Sequence, residues 1–268
     1  MNARDYALEI LQARASGQTL PAVSSRTELK LEQAYEIAKN IDEIRKGLGE
    51  RPIGRSLSVS WNTPHGEDAL ARLSWTTLFD ATVRHLPSNV CLQSLEGAMR
   101  PKISAVVIFK LATTPAAEAS LEQLVSSIEW MAHGIEILVT PYPDEAFSDA
   151  DAIAALGLHG TLLIGPAQPL SLASRAQLGQ LLANASVSLS CDGSLIAAGY
   201  GSKVLDSPVH ALRYIHQQLK LQSQFPPLQA GEIISTGSWT APITVQTGQT
   251  WSSAFSGLDL AGISVSFV

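Results

Sequence analysis

Residues 185–201 read ASVSLSCDGSLIAAGYG, two alternating runs that meet at Asp192-Gly193. An Asp-Gly pair accepts the positive φ angles of a tight primed turn, so the stretch predicts a β-hairpin. Other stretches supply more sheet. RPIGRSLSVSWN alternates over 51–62, PKISAVVIFKL reads as a strand over 101–111, GIEILVT as a short one over 134–140, and GLHGTLLIGP as another over 157–166. The tail from Gly231 to Val268 holds several short strands with glycine turns.

Helical spacing interleaves with these runs. Tyr6, Ala7, Ile10 and Leu11 form one stripe in ARDYALEILQAR, and LKLEQAYEIAKNIDEIRKGLG repeats apolar residues every three or four positions after Thr27, with Gly47 and Gly49 to end it. PAAEASLEQLVSSIEWMAHG, with Leu121, Leu124, Ile128 and Met131 on one side, predicts a helix over 115–134. SLASRAQLGQLLA reads as a further helix, and so does SPVHALRYIHQQLKL, with Ser207 as its cap and Pro208 in its first turn. The segment 68–87 mixes helix and loop signals. The pattern is α+β: a small helical N-terminal region, 1–50, followed by a mixed β-sheet body, 51–268.

Composition narrows the function. A hydrophobic fraction of 46% in 268 residues fills a substantial core. A net charge of -6, with no Arg/Lys stripe interleaved with aromatics, argues against a nucleic-acid partner. Cys91 and Cys191 share no metal-ligand spacing and read as reduced thiols. The start MNARDYALEI is charged and amphipathic, and no apolar stretch approaches membrane-spanning length. A cytoplasmic protein without a membrane partner is expected.

CDGSLIAAGYGSKVLDSPVHALRYIHQQL and FPPLQAGEIISTGSWTAPITVQTGQTW, together with LKLEQAYEIAKNI, resemble the 2-keto-4-pentenoate hydratase and 4-oxalocrotonate decarboxylase family of the fumarylacetoacetate hydrolase superfamily. The resemblance runs in order along nearly the whole chain and implies that superfamily's fold. It implies a lyase or isomerase acting on a small unsaturated 2-oxo or enol carboxylate, and family-like assembly into a homo-oligomer or a hetero-complex with a related enzyme. Family members use a divalent cation, usually magnesium, to hold the substrate's carboxylate and 2-oxo oxygens. The family strand reads like PxxExExxF with two ligand glutamates, and here Ser104 and Val106 stand in those places. Glu136 keeps the third carboxylate position, Ser56 replaces the lysine of the GxKIGxTS-like motif, and Ala154, Ala155 and Leu156 replace the ADN-like segment. Gly237, Ser238 and Thr240 survive in TGSWT. One carboxylate beside a serine and a valine is a poor magnesium site, so magnesium is disfavoured and no other cofactor is expected.

The candidate catalytic residues are therefore Glu136, His159 and Lys110. Glu136 lies between Ile135 and Ile137, where a carboxylate turned inward needs a partner or a proton. His159 can exchange protons near neutral pH, or simply hydrogen-bond to backbone. Lys110 ends its strand on the face of Ser104 and Val106, some 20 Å from Ser104 at ~3.3 Å per residue. Its amine either leads into water or bends back to hold a carboxylate. Ser56, Ser58, His65, Ser104, Ser238 and Thr240 are the candidates for binding the substrate. The alternative is a chain that has kept the fold and lost the chemistry, and serves as a structural partner or a ligand-binding subunit.

Overall fold

The computed structural model describes residues 2–59, 73–143 and 146–268. Six α-helices stand among the described residues: α1 (Ala3–Ser16), α2 (Leu31–Gly47), α3 (Leu121–Ser126), α4 (Asp149–Ala154), α5 (Leu172–Asn184) and α6 (Pro208–Leu221). The strands are β1 (Pro52–Val59), β2 (Leu73–Phe79), β3 (Val83–His85), β4 (Val90–Gln93), β5 (Lys102–Leu111), β6 (Ile128–Leu138) and β7 (His159–Ile164). They continue with β8 (Gln168–Pro169), β9 (Ser186–Cys191), β10 (Ser194–Tyr200), β11 (Ile233–Ser238), β12 (Ile243–Thr244), β13 (Thr250–Ser256) and β14 (Ser264–Phe267).

The larger sheet runs β2-β1-β11-β5-β6-β7-β3, with β12 beside β5 and β8 beside β6. The second runs β10-β9-β13-β14-β4. Most neighbours are antiparallel, but β1 lies parallel to β11, β3 to β7 and β14 to β4. The β9–β10 hairpin forms as expected. Asp192 and Gly193 take φ values of 49° and 82°, and both positive angles suit the primed turn that matches strand twist.

The expected 115–134 helix is a correction. Ser120 caps α3 through Gln123 N, yet α3 stops at Ser126, and from Ile128 the chain runs as β6. The apolar residues that look helical by spacing are held by tertiary pairing: β6 lies antiparallel along β5 from Lys110↔Trp130 to Lys102↔Leu138. The ambiguous 68–87 segment supplies β2 and β3. Ser207 occupies the cap position of α6, but its hydroxyl donates to Gly179 O at 2.9 Å instead of capping the helix.

Strand alternation divides the core. Val107 and Phe109 of β5 join the main cluster, where Ala7, Ile10, Ile37 and Ile41 of α1 and α2 pack with Leu57 and Trp75. Val106 and Ile108 face the other way, into a smaller cluster with Leu78, Ala132, Leu162 and Ile164. Gly134 makes that side compact: a Cβ there would lie 2.4 Å from Ile108 Cδ1. Ser104, Glu136 and Ser56 lie on this second face, because directly opposed residues in a sheet share a side.

Candidate active site

The β5–β6 register sets Ser104 directly opposite Glu136, two pairs along from Val106↔Gly134. Glu136 is 3% exposed. Its Oε1 accepts a hydrogen bond from Ser56 Oγ at 2.9 Å and lies 2.8 Å from His159 Nδ1. Three strands thus converge: β1 brings the serine, β6 the carboxylate and the start of β7 the histidine. The chain reaches His159 through a strained turn. Leu156, Gly157 and Leu158 have φ values of 61°, 61° and 60°, a region that leucine rarely occupies and that costs free energy to hold. Arg14, reaching from α1, donates to the His159 carbonyl and to Ala155 O, and so ties this turn to the first helix.

The hydrogen-bond chain places one proton between His159 and Glu136. Thr82 Oγ1 lies 3.1 Å from Phe79 O and 3.0 Å from His159 Nε2, and its one hydrogen goes to one of these two acceptors. When it goes to Nε2, the imidazole carries its proton on Nδ1 and donates it to Glu136 across 2.8 Å; when it goes to Phe79 O, Nε2 donates to Thr82 and a further proton is shared between Nδ1 and Glu136. Either way the pair holds one transferable proton in a buried setting, flanked by a serine hydroxyl.

More hydroxyls line the same face. Ser104 Oγ and Ser238 Oγ lie 2.9 Å apart. Thr76, Ser56 and Ser235 are register neighbours across β2, β1 and β11, and among the described residues Thr76 Oγ1 and Ser235 Oγ have no hydrogen-bond partner. Ser58 is half-buried and opposite Ser74, two pairs further along β1.

The remaining candidates sit elsewhere. Lys110 is six residues from Ser104 along β5; its Nζ is 3.6 Å from Glu129 Oε2 and 6.0 Å from the Trp130 ring centroid, with the side chain 34% exposed. It takes no part in the Glu136 cluster, because a strand leaves six residues too far apart for the stem to bridge. Thr240 faces the β5 backbone, its hydroxyl accepting from Ala105 N at 3.4 Å, while Trp239 N donates to Ala105 O at 2.9 Å. The turn's amides are thus partly spent on β5. His65 lies outside the described residues. Thr82 and Arg14 escaped the sequence-based reading, since both reach His159 only through the tertiary fold.

The donor set does not fit a hard divalent cation. Magnesium asks for near-octahedral oxygen ligands. Ser104 is hydrogen-bonded to Ser238, Val106 offers nothing, and Glu136 Oε1 is engaged twice. Among the described residues no group of three or more His, Cys, Asp or Glu side chains is placed to hold a metal ion.

No family model matches the chain. Curated relatives do. It is 24% identical over 258 residues to 2-hydroxyhexa-2,4-dienoate hydratase of Comamonas testosteroni, covering 95% of this chain and 94% of that one. It is 21% identical to 4-oxalocrotonate decarboxylase of a Pseudomonas species, covering 88% of each. Among solved structures, 4-oxalocrotonate decarboxylase of Pseudomonas putida G7, complexed with magnesium and adipate, superposes with a TM-score of 0.84 at 19% identity, covering 99% of this chain and 97% of that chain. Fumarylpyruvate hydrolase of Pseudomonas aeruginosa, with Mn2+ and pyruvate, gives 0.55 at 14% identity, over 81% and 90% of the two chains. Along nearly its whole length the chain is thus similar in sequence to curated 2-keto-4-pentenoate hydratases and a 4-oxalocrotonate decarboxylase, and it shares the fold of the solved decarboxylase.

Proposed function

We propose that the chain is a hydratase- or decarboxylase-like lyase for a small unsaturated 2-oxo or enol carboxylate, and that it moves the proton with Glu136 and His159 rather than through a metal-held enolate. The buried Glu136–His159 contact carries this reading. Hydration, decarboxylation and tautomerisation of such acids all require a proton to pass between oxygen and carbon of an enol. A carboxylate and an imidazole sharing one proton supply and recover it without exchange with bulk water. Ser56 Oγ donates to the same Glu136 oxygen and holds the side chain in place. Ser104 and Ser238 lie beside the carboxylate and offer hydroxyls to the substrate's own carboxylate. The relatives' names supply the substrate class: a dienoate, a pentenoate or an oxalocrotonate. Assembly into homo-oligomers belongs to the same proposal, with exposed Val90, Leu92, Leu195 and Ile196 on the outer strands of the second sheet as the surface for it.

A second reading draws on the same burial. Ser104 is 0% exposed and Glu136 3%, as closed as a packed core, which also suits a chain retained as a structural or ligand-binding subunit. One experiment separates the two. Loss of absorbance from 2-hydroxypenta-2,4-dienoate and 2-hydroxyhexa-2,4-dienoate is followed in EDTA and in magnesium, with calorimetric binding of oxalate alongside. Turnover in EDTA that Glu136→Gln lowers by roughly 100-fold or more supports the lyase. Turnover only with magnesium overturns the metal-free route. Neither turnover nor oxalate binding in either buffer leaves the subunit role.

A further inference from the structure

A cleft of about 380 Å³ lies on the other side of β1, between α2, the first residues of β1 and segment 224–232. Arg55, Glu232 and Thr77 line it, with Lys39, Asp42, Glu43 and Lys46 contributed by α2. None of the Glu136 cluster belongs to it.

Its wall is built but incompletely paired. Arg55 is 3% exposed. Its guanidinium lies over the Trp75 ring at 4.9 Å, donates from Nη2 to Pro226 O at 3.3 Å and stands 3.6 Å from Glu232 Oε1. That separation is too long for the two-pronged fork that arginine normally forms with a carboxylate. Among the described residues, Arg55 Nε and Glu232 Oε2 are both buried without a hydrogen-bond partner. Asp42 is better satisfied: its Oδ2 accepts from Thr77 Oγ1 at 2.5 Å. Buried polar atoms are nearly always paired, and leaving a charged donor and a charged acceptor unpaired in one wall is costly.

We propose that this cleft is a second small-molecule site, for a carboxylate that carries a hydroxyl or ammonium donor on the adjacent carbon. The ligand's carboxylate accepts from Arg55 Nε, and its donor meets Glu232 Oε2. Lys39 and Lys46 offer ammonium groups to a further carboxylate, against the opposing charge of Asp42 and Glu43 on the same helix, and this makes dicarboxylic members of the class the ones to probe. A simple carboxylate answers only Arg55, and water answers each atom separately without the charge.

The test is calorimetry on the full chain with malate, glutamate and succinate as probes at millimolar concentration. Malate or glutamate binds, and whichever binds tells a hydroxy acid from an amino acid. Succinate, lacking the adjacent donor, binds at least tenfold more weakly. Glu232→Gln, which keeps the side chain's size, weakens the bound probe tenfold or more. Lys46→Met does so for a dicarboxylate, and Glu136→Gln leaves binding unchanged. Arg55→Met is a harsher variant, to be read only where its thermal transition matches that of the parent chain. Absence of heat with all three probes overturns the proposal, since the cleft then holds water alone. Binding unaffected by Glu232→Gln and Lys46→Met places the ligand elsewhere and overturns it as well. Binding lost in Glu136→Gln assigns the probe to the other face, and succinate binding as tight as malate removes the role of Glu232.

Discussion

Glu136 commits one oxygen to two partners, Ser56 and His159, and this arrangement ties stability and chemistry to the same atom. The two can be separated by choice of substitution. Glu136→Ala strands the Ser56 hydroxyl and the His159 imidazole in a dry site and is expected to cost about 1–3 kcal/mol, read in a urea titration. Glu136→Gln preserves the shape and is expected to keep most of that stability while removing the transferable proton. Thr82→Val removes the hydroxyl that meets His159 Nε2, so the pH profile of turnover is expected to shift more than KM does. Glu136 is legible in the sequence because it interrupts an apolar strand between Ile135 and Ile137. Thr82 is not, because it lies in the short 3-10 turn between β2 and β3 and meets His159 only when β3 pairs with β7. The same holds for Arg14, whose target is a backbone carbonyl about 145 positions away.

Elements carry their own tests. Asp151, 0% exposed in α4, accepts from the backbone and hydroxyl of both Ser24 and Ser148. Burial pushes its carboxyl up, but these hydrogen bonds outweigh burial and hold it below the usual carboxylate range. A carboxyl depressed on folding adds stability above its unfolded pKa, and that stability is lost as pH falls toward the folded value. Asp151→Asn is therefore expected to lower stability at pH 7 and to flatten the loss below about pH 4, seen by urea titrations across that range. Gly54 tests the β1–β11 pairing. A Cβ there would lie 1.9 Å from Ile233 O, so Gly54→Ala is expected to push the parallel strands apart at a cost of about 3 kcal/mol or more. The elements also mark the limit of local pattern. The Asp192-Gly193 hairpin is legible because its turn chemistry is local. The first half of β6 looks helical because Leu124, Ile128 and Met131 fall three or four apart, and only pairing with β5 decides otherwise.

At the scale of the molecule, His133 joins the two sheets. From β6 its Nε2 lies 2.7 Å from Ser253 Oγ of β13, its Nδ1 3.2 Å from Val106 O, and its ring meets Phe255 edge-on. Burial lowers its pKa from 6.5 to about 4, so it is neutral in the folded protein at neutral pH. Between those values the unfolded chain binds more protons than the folded one, and this residue's contribution to stability falls as pH falls from 6.5 toward 4. Asp42 and Glu232, whose carboxyls burial pushes up, act in the opposite direction. Comparison with His133→Gln isolates the histidine: the variant is expected to show a flatter stability profile between pH 4 and 6.5 in urea titrations. The overall fold was legible because the resemblance spans nearly the whole chain, whereas a link such as His133–Ser253 needs the two sheets already stacked.

The alternation of β1 has a further consequence. Arg55 and Ser56 are consecutive residues, yet one lines the cleft beside α2 and the other touches Glu136. A single layer of backbone separates the cleft from the buried Glu136 cluster, and each side chain along it addresses one of them. Substitutions at neighbouring codons can therefore remodel either lining while leaving the other alone. A one-residue deletion within β1 would do the reverse, exchanging the two linings at once: guanidinium toward the carboxylate–imidazole pair, hydroxyl toward the lysines.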